Sequence, residues 1–491
     1  MKSGRLPDAI VIGAGIGGLS AAIHLRLQGR EVRVYEANAA AGGRASYLES
    51  EGVRFDTGPT LLNYPWVFED LFRAAGKRLS DYLELLPVDP SITYRWPDGG
   101  HLTLSSNAER LEAEFERVEP GAARGLAAFM ADAGEKFRIA FEELVPRNED
   151  SALAYFSRLS LREVLRTALW RSMYGELGKF FRSRRIREAL GSYAMYLGGS
   201  PYELPGLFTI LPYGELAQGL WLPRGGIYSL AEAMEKLARQ LGVRIQFGAR
   251  VRRIQQEGGC VSGVQLEEGE KVSCGTVVSN VDLPVTLSEL LEQEPPRIKM
   301  SPSALTFYWV VRGTPAGLGH HSIFLPADYR RAFDALISGE AVPADPAFYT
   351  AAPAASDPGL RKNGLSAVFV LVPVPLASRL GGTDWGQEAQ RAREFVLARL
   401  KESGADLAAS RILRETIYTP LDWQRRFSLF DGSAFGAAHT LNQMGPFRPR
   451  NYSRRIRGLY FTGASTTPGT GLPMVALSGK LTAERIRSHA R

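Results

Sequence analysis

Asp8-Ala-Ile-Val-Ile-Gly-Ala-Gly-Ile-Gly-Gly-Leu19 is the stretch that decides the fold. Its first residues form a short apolar run, the pattern of a strand buried on both faces of a parallel sheet. Gly13-Ala14-Gly15-Ile16-Gly17-Gly18 follows, and Leu19 to Gln28 carries the small and aliphatic side chains of a helix packed on that sheet. Gly29 stops the helix, and Glu31-Val-Arg-Val-Tyr-Glu36 reads as the next strand. Strand, tight turn, helix and strand in this order make a βαβ half-unit of a doubly wound α/β fold. Gly13 permits the turn, Gly15 lets a pyrophosphate approach the backbone at the helix N-terminus, and Gly18 lets helix and strand pack closely. Glu36 lies 18 residues beyond Gly18, at the end of the second strand, placed to accept from ribose hydroxyls. An arginine there would favour a 2′-phosphate, so the pattern predicts a dinucleotide other than NADP.

Outward from this unit, composition excludes several classes. The chain has 491 residues, 45% hydrophobic and 23% charged, which rules out general disorder, collagen and coiled coil. Lys and Arg exceed Asp and Glu by 59 to 52, an excess too mild for a nucleic-acid binder. Cys260 and Cys274 cannot build a disulfide framework or a four-ligand zinc site, and read as ordinary thiols. Met1 to Asp8 is polar and does not read as a secretory signal. Gly458 to Gly479 is uncharged over 22 residues but interrupted by glycine, proline and threonine. Gly364 to Ser378 is short and contains Pro373 and Pro375. Neither spans a bilayer.

From Ser105 to Gly198 the pattern is helical, with Leu111, Phe115, Leu126, Phe129 and Phe137 among charged residues. Ser151 to Leu190 holds nine basic and three acidic residues, so most of the chain's net +7 is concentrated there. That segment reads either as a solvated helix face or as a basic surface docking on anionic lipid, interleaved with Leu165, Leu169, Trp170, Phe180 and Phe181. A helix is predicted over Leu230 to Leu241, then strands at 243–247, 250–254, 261–266, 271–274 and 276–280. Further strands are predicted at 305–311, 322–325, 348–351 and 367–372. In the first of these, Phe307 and Trp309 oppose Tyr308, so both faces should be covered. A helix at 389–401, a strand at 458–462 and a helix at 472–488 complete the reading.

Three more motifs narrow the fold to a family: Gly42-Gly43-Arg44, then Gly52-Val-Arg-Phe-Asp-Thr-Gly-Pro-Thr60, then Leu459-Tyr-Phe-Thr-Gly-Ala-Ser-Thr-Thr-Pro-Gly-Thr-Gly-Leu-Pro-Met-Val475. At these motifs the sequence resembles the flavin-dependent amine oxidase superfamily and, within it, the bacterial-type carotenoid desaturases typified by phytoene desaturase. Leu197-Gly-Gly-Ser-Pro201, Trp221-Leu-Pro-Arg-Gly-Gly226, Val278-Ser-Asn-Val-Asp282 and Ser433-Ala-Phe-Gly436 extend the likeness along the chain. The resemblance implies an FAD domain assembled from residues 1–104, 221–300 and 441–491. It implies a helical insert at 105–220 for substrate entry and membrane contact, and a substrate-binding sheet domain at 301–440. It also implies that Glu36 and Ala37 hold the adenosine, with Val251 on the adenine, and that Gly43 and Arg44 line the pyrophosphate. Gly58-Pro59-Thr60 would approach the flavin, Gly463-Ala464 the ribitol, and Gly471-Leu472-Pro473-Met474 would aim a helix N-terminus at the flavin ring. That end stabilises the negative charge left by hydride uptake.

The reaction implied is removal of an allylic hydride and an adjacent proton from an isoprenoid hydrocarbon such as phytoene or a shorter analogue. A carotenoid oxidase, ketolase or isomerase on the same fold is the alternative, and a non-catalytic lipid-handling protein a distant one. The cation left after hydride loss is acidic, so a weak base suffices and neither a triad nor a metal site is expected. Glu215 is the candidate base, a lone carboxylate in the apolar segment Leu207 to Pro223 whose pKa burial would raise. Arg171 reads as a membrane-facing or channel-mouth residue, and His320-His321 as a structural pair. The expected electron acceptor is oxygen or a membrane quinone, since the chain has one dinucleotide fingerprint. The expected location is cytoplasmic, peripheral to the inner face of the cell membrane.

Overall fold

The computed structural model describes residues 7–490 except Asp406, so Met1 to Leu6 of the polar start lie outside it. Around the opening strand Ala9–Ile12 it builds a five-stranded parallel sheet in the order Leu459–Phe461, Val277–Ser279, Ala9–Ile12, Val32–Tyr35, Arg244–Gln246. Strands from three distant stretches thus meet in one sheet, and all but the edge strand Arg244–Gln246 are almost wholly buried, which is why they read as apolar runs. Helices Ile16–Leu27, Tyr228–Gln240 and Leu472–His489 cover one face. The first and last lie so close that a Cβ on Gly479 would fall 2.5 Å from the Ala21 nitrogen. The opposite face packs on a three-stranded antiparallel sheet, Val251–Glu257, Cys260–Leu266 and Lys271–Ser273.

A second, seven-stranded sheet runs in the order Ile412–Tyr418, Ser303–Arg312, Leu365–Val374, Phe348–Ala351, His321–Phe324, Thr93–Arg95, His101–Thr103. Ser303–Arg312 is buried on both faces, as its aromatics predict: Phe307 and Trp309 enter one apolar cluster, Tyr308 and Val310 another. Two strands of this sheet belong to the stretch 1–104. The edge strand Ile412–Tyr418 is absent from the sequence reading, because Arg414 and Glu415 break its apolar pattern on the open side. Helices from Ala108–Val118 to Ile210–Gln218 pack against the Thr93–Arg95 and His101–Thr103 end of this sheet, around Phe115, Phe129, Phe181 and Tyr193. Among the described residues no helix is long and apolar enough to cross a membrane.

Candidate active site

Two hollows open at the carboxyl ends of the parallel strands, where ligands of such sheets bind. The smaller, about 310 Å³, is bordered by Gly13, Glu36, Ala37 and Val251. The larger, about 770 Å³, is bordered by Gly43, Arg44, Gly58-Pro59-Thr60, Gly463-Ala464 and Gly471-Leu472-Pro473-Met474. Gly15, Gly43, Asn280 and Val281 border both, so the two form one elongated track past the glycine loop. Ile16 and Gly17 face the larger hollow. Ala14 and Gly18 border neither: Ala14 acts through its backbone N–H on Glu36, and Gly18 through packing.

Packing explains why the loop is glycine. A Cβ on Gly18 would fall 2.0 Å from the Gly13 carbonyl oxygen, an impossible approach. One on Gly15 would fall 2.8 Å from Asn280 Nδ2. No spacing signal marks Asn280; it sits two residues before Asp282 within the Val278 to Asp282 motif, and only the parallel pairing of Val277–Ser279 with Ala9–Ile12 brings it to the loop.

Glu36 is buried, its Oε2 accepting from the Ala14 N–H at 2.7 Å and its Oε1 from the Asn38 backbone and side-chain nitrogens at 2.9 and 2.8 Å. The carboxylate is therefore fixed at the rim of the smaller hollow. Arg44 turns its open side to the larger one and donates to the Ala434 carbonyl at 2.9 Å. No carboxylate among the described residues pairs with it, and burial lowers its pKa against the opposing pull of Asp282. A half-buried cation facing the hollow with no ion-pair partner among the described residues suits an anionic ligand, and a diphosphate beside Gly15 and Gly43 meets that need.

The C-terminal motif is pinned from behind. Arg448, fully buried, donates to the carbonyls of Ala464, Thr466 and Ala437 at 2.5, 2.9 and 3.0 Å. Ser465 Oγ donates to Asp282 at 2.5 Å, tying the motif to the strand that carries Asn280. Gly471, at φ +106°, turns the chain into the helix Leu472–His489 with Pro473 in its first turn. Gly471, Leu472, Pro473 and Met474 of that turn border the hollow, the arrangement expected for stabilising charge on a reduced flavin. The Gly/Glu36 rim, the unpaired Arg44 and this helix end fit FAD stretched along the track.

Over residues 16–487 the chain matches the family described as flavin containing amine oxidoreductase. The chain belongs to that family. Among proteins similar to this family member is the zeta-carotene-forming phytoene desaturase of Myxococcus xanthus, 39% identical over 98% of this chain and 94% of that protein. The lycopene-forming phytoene desaturase of Pantoea ananas is 32% identical over 96% of this chain and 97% of its own length. In fold, the flavoprotein is similar to a putrescine oxidase triple mutant from a redesign of cofactor binding, with TM-score 0.63, 15% identity and 99% of each chain covered.

Glu215 is buried on Ile210–Gln218 and burial pushes its pKa up to about 7, as its apolar segment predicts, but it does not border the larger hollow. Tyr64, Tyr196 and Tyr349 stand on the wall instead. Tyr349 is fixed by hydrogen bonds of 2.6 Å to Thr60 Oγ1 and to His321 Nδ1, so the His320-His321 pair supports the wall from behind. Tyrosines scattered through a chain carry no spacing signal, so only the fold brings these three to one wall. Arg171 is exposed and reaches Glu176 at 3.6 Å.

Proposed function

We propose that this flavoprotein is an FAD-dependent carotenoid desaturase acting on phytoene or a related membrane-dissolved isoprenoid hydrocarbon, at a C–C single bond beside an alkene. The observation that carries the reading is the larger hollow itself. Beyond the flavin-facing motifs it continues between Phe141, Leu144, Tyr155, Leu169, Phe208 and Leu211 on one side and Phe369 and Leu371 on the other, an apolar passage suited to a hydrocarbon. The two relatives named as phytoene desaturases, each matched over nearly its full length, support the same substrate class. Bound FAD would supply the hydride acceptor. The protein's part is to hold one allylic carbon against the Gly58-Pro59-Thr60 and Gly471-Leu472 wall, exclude water that would quench the cation, and remove the adjacent proton.

The passage opens between Tyr155, Phe156, Leu169 and Trp170 on one side and Leu441, Met444 and Phe447 on the other. Its surroundings carry exposed apolar side chains: Leu153 is 83% exposed, Leu161 76%, Trp170 60% and Phe447 56%. Arg158 and Arg162, both exposed, flank them without an ion-pair partner among the described residues. An apolar rim with free arginines around a hydrocarbon passage is the design of a surface that enters one leaflet of an anionic membrane. Moving the substrate from lipid into such a passage changes little apolar exposure to water, so turnover depends on docking and threading. The arginines of 182–187 suit that role less well, since Arg184 pairs with Glu188 at 2.6 Å, Arg185 with Asp98 at 2.6 Å, and Arg187 covers the Tyr174 ring. We place the enzyme on the inner face of the cell membrane, with oxygen or a quinone as the electron acceptor.

Mixed anaerobically with phytoene-loaded liposomes, the yellow protein is expected to bleach and form a product of longer conjugation. It is expected to stay yellow with NADPH and empty liposomes. Bleaching by NADPH alone, or no change with phytoene, overturns the reading.

A further inference from the structure

Behind the tyrosine wall lies a polar cluster that the flavin track does not use. Glu215 is 1% exposed, and neither of its carboxyl oxygens meets a partner in full hydrogen-bond geometry. The hydroxyls of Tyr94, Tyr193 and Tyr196 are buried and unpartnered in the same way. Ser91, Tyr193 and Tyr196 face the carboxyl closely enough to favour its ionised form, while burial works against it more strongly and pushes its pKa up to about 7. Tyr64, Tyr94 and Tyr349 also feel its charge, and no Lys, Arg or His among the described residues pairs with it. A carboxyl this deep, with neither a cation nor a well-made hydrogen bond, is costly, and such groups concentrate at functional sites. Of the hydroxyls facing the carboxyl, only that of Tyr196 belongs to a residue that also borders the cavity.

We propose that Glu215 receives, through the Tyr196 hydroxyl, the proton that the substrate gives up after hydride loss. This inference rests on the desaturase reading. The C–H bond beside the cationic carbon breaks, and its electron pair becomes the new C=C bond. The proton joins the Tyr196 oxygen as the tyrosine's own proton passes to Glu215, which becomes a carboxylic acid. With the hydride transferred to the flavin, the substrate has lost two electrons and two hydrogens in all. Glu215 returns its proton to solvent between turnovers. Setting the carboxylate one layer back keeps water and a fixed negative charge away from the cation, where either would divert it. Glu215 is therefore a positioning residue, and the wall tyrosine is the group that touches the substrate.

The test compares the FAD-loaded parent with Glu215→Gln, Glu215→Asp and Tyr196→Phe in phytoene-loaded liposomes, from about pH 5 to 9, with flavin spectrum and Tm measured alongside. The parent rate is expected to rise through neutral pH. Glu215→Gln and Tyr196→Phe should lose that rise and fall roughly 100-fold at its top, and Glu215→Asp should restore a pH-dependent limb. A Glu215→Gln protein with the parent's rate and profile overturns the inference. If Glu215→Gln does not fold, a parent-like profile in Tyr196→Phe does so. A parent whose flavin stays oxidised with phytoene-loaded liposomes at every pH overturns the desaturase reading instead.

Discussion

The Ala14 N–H donates 2.7 Å to Glu36 Oε2, joining the glycine loop after the first strand to the end of the second. This bond sets the rim on which the adenosine ribose would rest, because it holds the carboxylate while leaving room for further acceptance on its free lone pairs.

Replacing Glu36 by arginine removes that acceptor and sets a cation against the Ala14 N–H. The expected cost is about 1.5–3 kcal/mol, typical of a hydrogen bond to a charged group, or roughly a tenfold to hundredfold weaker hold on FAD. Flavin occupancy after dialysis measures it, and equal occupancy in variant and parent would refute the assignment.

Gly18→Ala is expected to fail outright, since its Cβ would meet the Gly13 carbonyl at 2.0 Å. The loop would have to open, with loss of flavin and a fall in Tm. Gly29→Ala is the control: Gly29 has φ +84° but nothing within 4 Å, so only the backbone penalty of about 1–2 kcal/mol applies. Thermal melts of the two variants separate the effects.

Arg448→Met leaves the carbonyls of Ala437, Ala464 and Thr466 without their buried donor. With about 1–3 kcal/mol at stake for each unsatisfied group, partly relieved by relaxation, a loss above about 3 kcal/mol is expected. Because these carbonyls hold the Gly463 to Thr470 turn, flavin retention should fall together with denaturation midpoint. A variant as stable as the parent would show that the turn is held elsewhere.

Docking should follow the rim of the passage. Leu161→Gln with Leu165→Gln removes about 1.5–3 kcal/mol of apolar transfer per side chain if both enter lipid, so co-sedimentation with anionic liposomes should drop at least tenfold. Neutralising Arg184 and Arg185, which already pair with Glu188 and Asp98, should change it little. The reverse ranking would move the contact to the arginines.

Glu215 also makes stability depend on pH. Its pKa is raised in the folded chain to about 7, so between the ordinary carboxyl range and neutrality the folded state holds a proton that the unfolded state releases. Stability from this group is full at acid pH and is lost as pH rises toward 7, by about 3 kcal/mol at most. Glu215→Gln lacks this loss, so its Tm relative to the parent should climb from acid to neutral pH. A constant difference would mean that Glu215 does not titrate in this window.

What the sequence determined by itself is local and periodic. The apolar run at Ala9–Ile12, the glycines at 13, 15 and 18 and the acid at 36 fix a βαβ unit and its ligand class, because each residue acts through its own backbone or through a partner a fixed number of positions away. The same holds for the turn at Gly471 and the doubly covered strand at Ser303–Arg312. The tertiary structure alone decided which distant residues meet. Asn280 reaches the glycine loop only through parallel strand pairing, and Arg448 finds its carbonyls only when the C-terminal turn folds over it. Glu215 read as a lone carboxylate in an apolar segment, which foretold its burial but not the tyrosines that separate it from the cavity. Burial follows from local hydrophobicity; which side of a wall a side chain occupies depends on how the helix Ile210–Gln218 is rotated against its neighbours, and that is set by packing across the whole insert.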